Sequence, residues 1–116
     1  MVAIERLLDI ETKFVSIVQR IIFLEAEDEA LRIILYLKDG TNLRVAEKWN
    51  QDILEKYSYY WLSSKNELII GWDNAPHHTK IDTFPHHRHV GNQKNMQPSN
   101  ETCLEEVINF ILNYGK

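Results

Sequence analysis

The chain has 116 residues, of which 44% are hydrophobic and 26% charged, and its formal net charge at pH 7 is −4. These values are typical of one globular domain, residues 1–116, and they argue against a protein that coats nucleic acid non-specifically. The single cysteine, Cys103, excludes an internal disulfide and a multi-cysteine zinc site. No apolar run could span a membrane and the first residues do not resemble a secretory signal, so we expect a cytoplasmic protein without membrane contact.

The N-terminal residues predict a short helix over 2–11, because Ile4, Leu7 and Leu8 recur at helical spacing. The pattern does not define the C-terminal end of this helix, because apolar residues continue at similar spacing beyond residue 11. The stretch 15–24 is rich in β-branched residues and alternates, which favours a first strand. Residues 25–29 follow as an acidic connection.

Four more strands are predicted, each joined to the next by a turn. The turn signals are Asp39-Gly40, Asn50-Gln51-Asp52 and Ser63–Asn66. Consecutive hairpins of this kind build an antiparallel meander. The predicted strands are 30–37, 42–49, 53–62 and 67–73.

Two of these strands contribute candidate site residues. Glu47 shares a strand face with apolar neighbours, so it either faces a site or is turned outward by a bulge. Tyr57 and Tyr59 lie on one face of the next strand, where aromatic residues mostly form core or cross-strand pairs. Their hydroxyls are therefore secondary candidates for a substrate contact.

Strand periodicity stops after Asp73, and residues 74–98 are predicted to form a functional loop that Ile81 and Phe84 could hold against the sheet. A C-terminal helix follows. Thr102 and Glu105 match a capping box, and Gly115 marks the helix end. The expected fold is α+β, with a five-stranded antiparallel meander, a short N-terminal helix and a C-terminal helix packed on the sheet. The apolar stripe of that last helix is Leu104, Val107, Ile108, Ile111 and Leu112.

All five histidines lie between positions 77 and 89, and two Pro-His-His repeats occur there. Packing does not need titratable rings, so this segment predicts acid–base chemistry or metal binding. The segment 74–98 contains three basic residues, Lys80, Arg88 and Lys94, and one acidic residue, Asp82. Its net charge is therefore +2, and that of the rest of the chain is −6. Such a cationic region would attract an anionic substrate such as a phosphodiester.

The first arrangement is metal-free cleavage of RNA, which needs no cofactor. One imidazole would take the proton of a ribose 2′-hydroxyl, and a second, protonated, would assist the leaving oxygen. Asp73 could orient a ring, and Asn74 could bind a base or a phosphate oxygen. Lys80 and Arg88 would stabilise the phosphate charge. The candidate imidazoles are those of His77, His78, His86, His87 and His89.

The second arrangement is a metal site. His87 and His89 form a His-x-His unit, which on an extended backbone directs both rings to the same side. Asp73 or His77 could complete three ligands and leave a position for water, as catalytic zinc requires. The spacing matches no established zinc signature. A Cys–His nucleophile is not favoured, because Cys103 has acidic neighbours and no reactive motif around it.

The motif from Trp72 to His78, Trp-Asp-Asn-Ala-Pro-His-His, and the motif from Thr83 to His89, Thr-Phe-Pro-His-His-Arg-His, resemble the TumE-type toxins of prokaryotic type II toxin–antitoxin systems. The resemblance spans nearly the whole chain and implies a small toxin neutralised by a helix-turn-helix antitoxin. One departure is Trp72, where such sequences often have a basic residue. The functional positions that the resemblance implies are Asp73, Asn74, His77, His78, His86, His87 and His89, supported by Tyr57 or Tyr59 and by Glu47.

Three functions therefore compete. The first is a metal-independent ribonuclease, the second a non-enzymatic protein whose histidine-rich loop binds the antitoxin or a target, and the third a metal-dependent phosphodiesterase. The chain has few clustered carboxylates of the kind that magnesium nucleases use, which favours the first. An acidic sheet edge and an exposed aromatic strand would leave room for a homodimer.

Overall fold

The computed structural model describes residues 1–76 and 83–115. These residues form two helices and one antiparallel sheet of seven strands that pair in chain order. The α+β class is therefore confirmed. The elements are α1 (Ala3–Lys13), β1 (Val18–Glu27), β2 (Ala30–Leu37), β3 (Asn42–Asn50), β4 (Ile53–Leu62), β5 (Leu68–Asp73), β6 (His87–Val90), β7 (Met96–Pro98) and α2 (Leu104–Asn113).

The predicted number of five strands is wrong, because β6 and β7 form inside the segment that was expected to be a loop. Strand β6 has no apolar alternation, since its two buried positions hold His87 and His89. Hydrophobic periodicity therefore cannot identify it as a strand. This addition brings the histidine-rich segment into the sheet beside β5.

The first strand begins at Val18 and continues to Glu27, so the predicted range 15–24 ends too early. The acidic connection is only a two-residue turn, in which Asp28 has a φ of 51°. β1 and β7 are the edge strands of the described sheet, and the exposed acidic end of β1 shows little apolar alternation. Helix α1 ends at Lys13, two residues later than predicted.

The central strands were predicted correctly. β2 buries every second residue, and β4 buries Tyr57, Tyr59 and Trp61. Gly40 has a φ of +93°, the left-handed conformation that the Asp-Gly turn predicted. β4 lies between β3 and β5, so its aromatic residues are not exposed at an edge and do not support a dimer there.

The sheet has two different faces. Both helices cover one side, here called the helix face, where Trp72 contacts Phe110 of α2 edge-to-face at 5.5 Å. No helix in the described residues covers the other side, here called the open face. The core on the helix face combines α1 and α2 with inward side chains of β2–β5: Leu7, Ile10, Leu31, Ile33, Leu35, Leu43, Val45, Tyr59, Ile70, Trp72, Leu104, Val107 and Ile108.

Three local predictions about the C-terminal part are wrong. Thr102 bonds to Glu106 instead of Glu105, because Glu105 is held by basic side chains of α1. Leu112 and Phe84 are 46% and 43% exposed instead of packed, and Ile81, which was expected to act with Phe84, lies outside the described residues. The helix end at Gly115 agrees with the prediction, since its φ is +78°. Neither α1 nor α2, the helices of the described residues, is long and apolar enough to cross a membrane.

Candidate active site on the open face

Pairing of β5 with β6 brings three predicted site residues together on the open face. Asp73 lies opposite His87, and the neighbouring Gly71 lies opposite His89. The Asp73 carboxylate is 2.7 Å from His87 Nε2 through Oδ1 and 3.4 Å from His89 Nε2 through Oδ2. The exposed fractions are only 8% for Asp73, 2% for His87 and 7% for His89. We call these three residues the Asp–His–His cluster.

Main-chain carbonyls make Nδ1 of each ring a hydrogen-bond donor. His87 Nδ1 is 3.1 Å from the carbonyl oxygen of Pro85, and His89 Nδ1 is 2.8 Å from that of Gln93. A carbonyl oxygen only accepts, so each Nδ1 is the donor. Both Nε2 atoms therefore point at one carboxylate. One ligand atom from each of the three residues lies within 4.8 Å of the other two, close enough for one metal ion to bind all three.

Tyr60 and Gly71, neither of which was predicted as a site residue, form the floor beside this cluster. A Cβ on Gly71 would collide with the ring carbons of Tyr60, so only glycine fits under this ring. Burial raises the pKa of Tyr60, and the nearby negative charge of Asp73 raises it further. Side-chain alternation along β4 places Tyr60 on the other face of the strand from Tyr57 and Tyr59. This alternation is the sequence signal that could have predicted Tyr60 as a residue of the open face.

His86 takes part in a different cluster. Its Nδ1 is 2.9 Å from the hydroxyl of Tyr57, and the two rings stack at 5.8 Å. Tyr57 also stacks on the buried Tyr59 at 5.0 Å, within the core on the helix face. Burial raises the pKa of Tyr57, and the charge of Asp73 adds to this shift. His86 therefore forms a hydrogen bond with a core residue, Tyr57, whereas its neighbour His87 lies on the open face.

Glu47 and Tyr59 belong to a buried network on the helix face. Arg6 donates to both carboxylate oxygens of Glu47, at 2.7 and 3.0 Å, and the Tyr59 hydroxyl donates to Oε2 at 2.6 Å. Burial and the charge of Glu47 raise the pKa of Tyr59. Burial alone would lower the pKa of Arg6, but hydrogen bonds to Glu105 and Glu47 raise it. The structure thus separates Glu47 and Tyr59 from the Asp–His–His cluster by the thickness of the sheet.

Arg88 and Asn74 also make contacts within the protein instead of facing the Asp–His–His cluster. The guanidinium of Arg88 lies 5.4 Å from the ring centroid of Phe110 on the helix face. Asn74 accepts from the main-chain N–H of Tyr57 at 2.9 Å and donates to the carbonyl of Glu55 at 3.1 Å, so it ties the end of β5 to β4. The remaining candidates, His77, His78 and Lys80, lie outside the described residues.

Cationic side chains that were not predicted as site residues also occur on the open face. Lys48 and Lys56 are direct cross-strand partners of β3 and β4, and Arg44 is the partner of Tyr60. In the described part of the chain, no carboxylate forms an ion pair with any of these three. Lys48 and Lys56 also line a groove of about 440 Å³ that reaches Ser58, Tyr60 and Asp73. Its charged lining residues are three basic ones, Arg32, Lys48 and Lys56, and three acidic ones, Glu25, Glu47 and Asp73, so the groove connects the two lysines to the carboxylate of the Asp–His–His cluster.

The fold and this cluster define a small α+β protein with a histidine–aspartate site on the open face of an antiparallel sheet. The sequence model described as Toxin TumE matches residues 4–114, so the chain belongs to the TumE toxin family. This assignment confirms the resemblance carried by the two histidine motifs, and it supports a role as a toxin. Comparisons with curated proteins and with solved structures found no match.

Proposed function

We propose that this protein is the toxin of a type II toxin–antitoxin pair and that it acts by cleaving RNA at the Asp–His–His cluster. The observation that carries the proposal is the position of Asp73, which contacts His87 and His89, in a groove of the open sheet face that Lys48 and Lys56 also line. Family membership supports the toxin role, and the paired Lys48 and Lys56 support a polyanionic substrate.

The groove suits a single-stranded nucleic acid. Lys48 and Lys56 place two like charges directly opposite each other, which is unfavourable in a sheet unless an anion lies between them. A phosphate group would remove that repulsion. Tyr60 offers a ring near the Asp–His–His cluster on which a base could stack. The remaining surface is acidic on balance, since the whole chain has a net charge of −4. RNA would therefore be directed to this face.

The metal-independent mechanism expected from the sequence needs a ring nitrogen that is directed at the substrate. Both nitrogens of His87 and of His89 contact groups of the protein itself. In the described residues, His86 is the histidine with Nε2 available, and its Nδ1 bonds to Tyr57. An acid–base pair would therefore have to combine His86 with a further histidine of the segment, which makes His86→Ala the informative variant for this mechanism.

The test is incubation of the purified protein with end-labelled single-stranded RNA, with and without EDTA. We expect cleavage by the wild type and by Asp52→Asn, which changes an exposed turn carboxylate, and no cleavage by Asp73→Asn. Circular dichroism would check that all variants are folded. Intact RNA in every lane, with a wild type that still arrests growth when expressed, would contradict the proposal and favour a non-enzymatic binding toxin.

We further propose that a helix-turn-helix antitoxin neutralises this protein, as its family implies. Co-expression with such a protein from the adjacent gene should restore growth, and the two chains should co-purify. Light scattering of the isolated toxin would test the expected homodimer. The β1 edge, where Phe23 and Leu24 are exposed, is the surface at which a second chain could add. Growth that stays arrested during co-expression would contradict the antitoxin proposal.

A further inference from the structure

We propose that Asp73, His87 and His89 bind one divalent transition-metal ion of the zinc class, through Nε2 of both histidines and a carboxylate oxygen. The inference specifies how the proposed RNA-cleaving site is built, but metal binding can be measured without any RNA. It replaces the metal-free arrangement that the sequence favoured with the second arrangement, in which His87-x-His89 and Asp73 form the ligand set.

The distances between the three groups fit such a site. Ligands at about 2.0–2.1 Å from a tetrahedral zinc ion lie roughly 3.3 Å from one another. His89 Nε2 lies 3.4 Å from Asp73 Oδ2, which matches this separation, whereas His87 Nε2 lies 2.7 Å from Oδ1, a hydrogen-bond distance that would lengthen when an ion binds. Small side-chain rotations within the 4.8 Å span of the group would complete the coordination geometry.

The outer hydrogen bonds are those of metal-bound histidines. A histidine ligand normally donates its second ring N–H to a carboxylate or a main-chain carbonyl, which determines the tautomer and the ring orientation. His87 does this to Pro85 and His89 to Gln93. Since Nδ1 of both rings bonds to a main-chain carbonyl, Nε2 is in each ring the nitrogen that faces the carboxylate of Asp73 and can bind an ion there. A cation at that point would satisfy all of these groups at once.

Burial strengthens this argument. The three side chains are almost completely removed from solvent, where a carboxylate is stabilised by a positive charge beside it, and a bound cation would supply that charge. The cluster also lies on rigid elements, because Asp73 belongs to β5 and both histidines to β6. Paired strands hold ligands more accurately than a loop does. The site is therefore built before an ion arrives.

The donor set selects the class of ion. Two imidazoles and one carboxylate suit zinc and its first-row neighbours, whereas magnesium and calcium prefer oxygen ligands. Three protein ligands leave at least one coordination position for water or a phosphate oxygen, as in catalytic zinc sites. An ion in this position would act as a Lewis acid on a phosphodiester that reaches it through the groove lined by Lys48 and Lys56.

The experiment is titration of the EDTA-treated and dialysed full-length protein with Zn²⁺, Co²⁺ or Mg²⁺ by calorimetry. We expect one tight site for Zn²⁺ and Co²⁺ and no comparable site for Mg²⁺. Asp73→Asn, His87→Ala and His89→Ala should each weaken Zn²⁺ binding by about 100-fold or more, since even the loss of an outer-shell partner costs 10–100-fold. His86→Ala is the matched control and should keep the affinity of the wild type.

A second measurement on the wild type avoids variants that fail to fold. Long-range ¹H–¹⁵N spectra of the imidazoles should show Zn²⁺ shifting Nε2 of His87 and His89 while Nδ1 keeps its proton in both. The double variant His77→Ala/His78→Ala should still bind one ion. The proposal is overturned if Zn²⁺ shifts only the rings of His77, His78 or His86, or if Asp73→Asn binds as tightly as the wild type. Zn²⁺ binding without RNA cleavage would contradict the proposed function alone, and EDTA-resistant cleavage without Zn²⁺ binding would contradict the metal site alone.

Discussion

The ring of Tyr60 lies so close to Gly71 on the adjacent strand that no side chain fits at position 71. Gly71 is followed by Trp72 and Asp73, and its own cross-strand partner on the other side is His89. The contact therefore sets the position of Tyr60 against the strand that carries Asp73. A sterically small residue inside a strand commonly marks a close approach of this kind.

Gly71→Ala should destabilise the fold by about 1–3 kcal/mol, because the added Cβ overlaps the Tyr60 ring. The measurement is urea unfolding of the wild type, Gly71→Ala, Tyr60→Ala and the double variant. The cost of Gly71→Ala should be smaller in the Tyr60→Ala background, where the ring is absent. An equal cost in both backgrounds would contradict a direct contact between the two residues.

Arg6→Met should cost about 3–5 kcal/mol, since it leaves Glu47 charged and buried without its main partner. Arg20→Met, which changes an exposed arginine that stacks on Tyr36, should cost less than about 1 kcal/mol. Chemical denaturation of both variants measures the difference. Replacing both members in Arg6→Met/Glu47→Leu should recover part of the loss, and equal stability of the two arginine variants would contradict the importance of this ion pair.

Glu105 predicts a pH-dependent contribution to stability. Burial by itself would raise its pKa, but hydrogen bonds from Arg6 and Lys13 lower the pKa to about 2 from the ordinary value of 4.5. A lowered pKa in the folded state stabilises the protein above pH 4.5, and this contribution is lost as the pH falls from 4.5 towards 2.

Glu105→Gln should therefore cost about 1–2 kcal/mol at neutral pH, a value reduced for the partial exposure of this side chain. The difference from the wild type should shrink between pH 4.5 and 2. Thermal unfolding across this range measures it, with Glu11→Gln on the exposed side of α1 as the control. A difference that stays constant with pH would show that the charge of Glu105 is not its cause.

Lys48→Ala/Lys56→Ala should weaken the binding of single-stranded RNA and reduce the slope of log K against log salt by about 1.4, the value for two lost phosphate contacts. Because the two lysines repel each other across β3 and β4, this double variant should be at least as stable as the wild type. Lys38→Ala/Lys65→Ala removes the same charge from turns and should leave the slope unchanged. Filter binding over a salt series measures the slope, and equal slopes for both double variants would contradict the RNA groove.

The hairpins from β1 to β5 could be predicted because each depends on local signals. Alternating apolar residues identified β2 and the buried face of β4, and Asp39-Gly40 identified a turn. The same logic failed at β6, where the residues that alternate into the sheet are histidines. It also failed at Glu105, because the basic side chains that hold it come from a helix about 90 residues earlier in the chain.

The sequence by itself determined the family, the meander of the first five strands and the segment in which the candidate chemistry lies. Only the tertiary structure decided which of these residues meet. Side-chain alternation is a local property, whereas the register that sets Asp73 opposite His87 depends on two strands closing across residues 74–86. For the same reason, strand alternation alone made Glu47 and Tyr59 candidate site residues. In the folded protein Arg6 of α1 and Tyr59 both bond to Glu47, on the side of the sheet away from the Asp–His–His cluster.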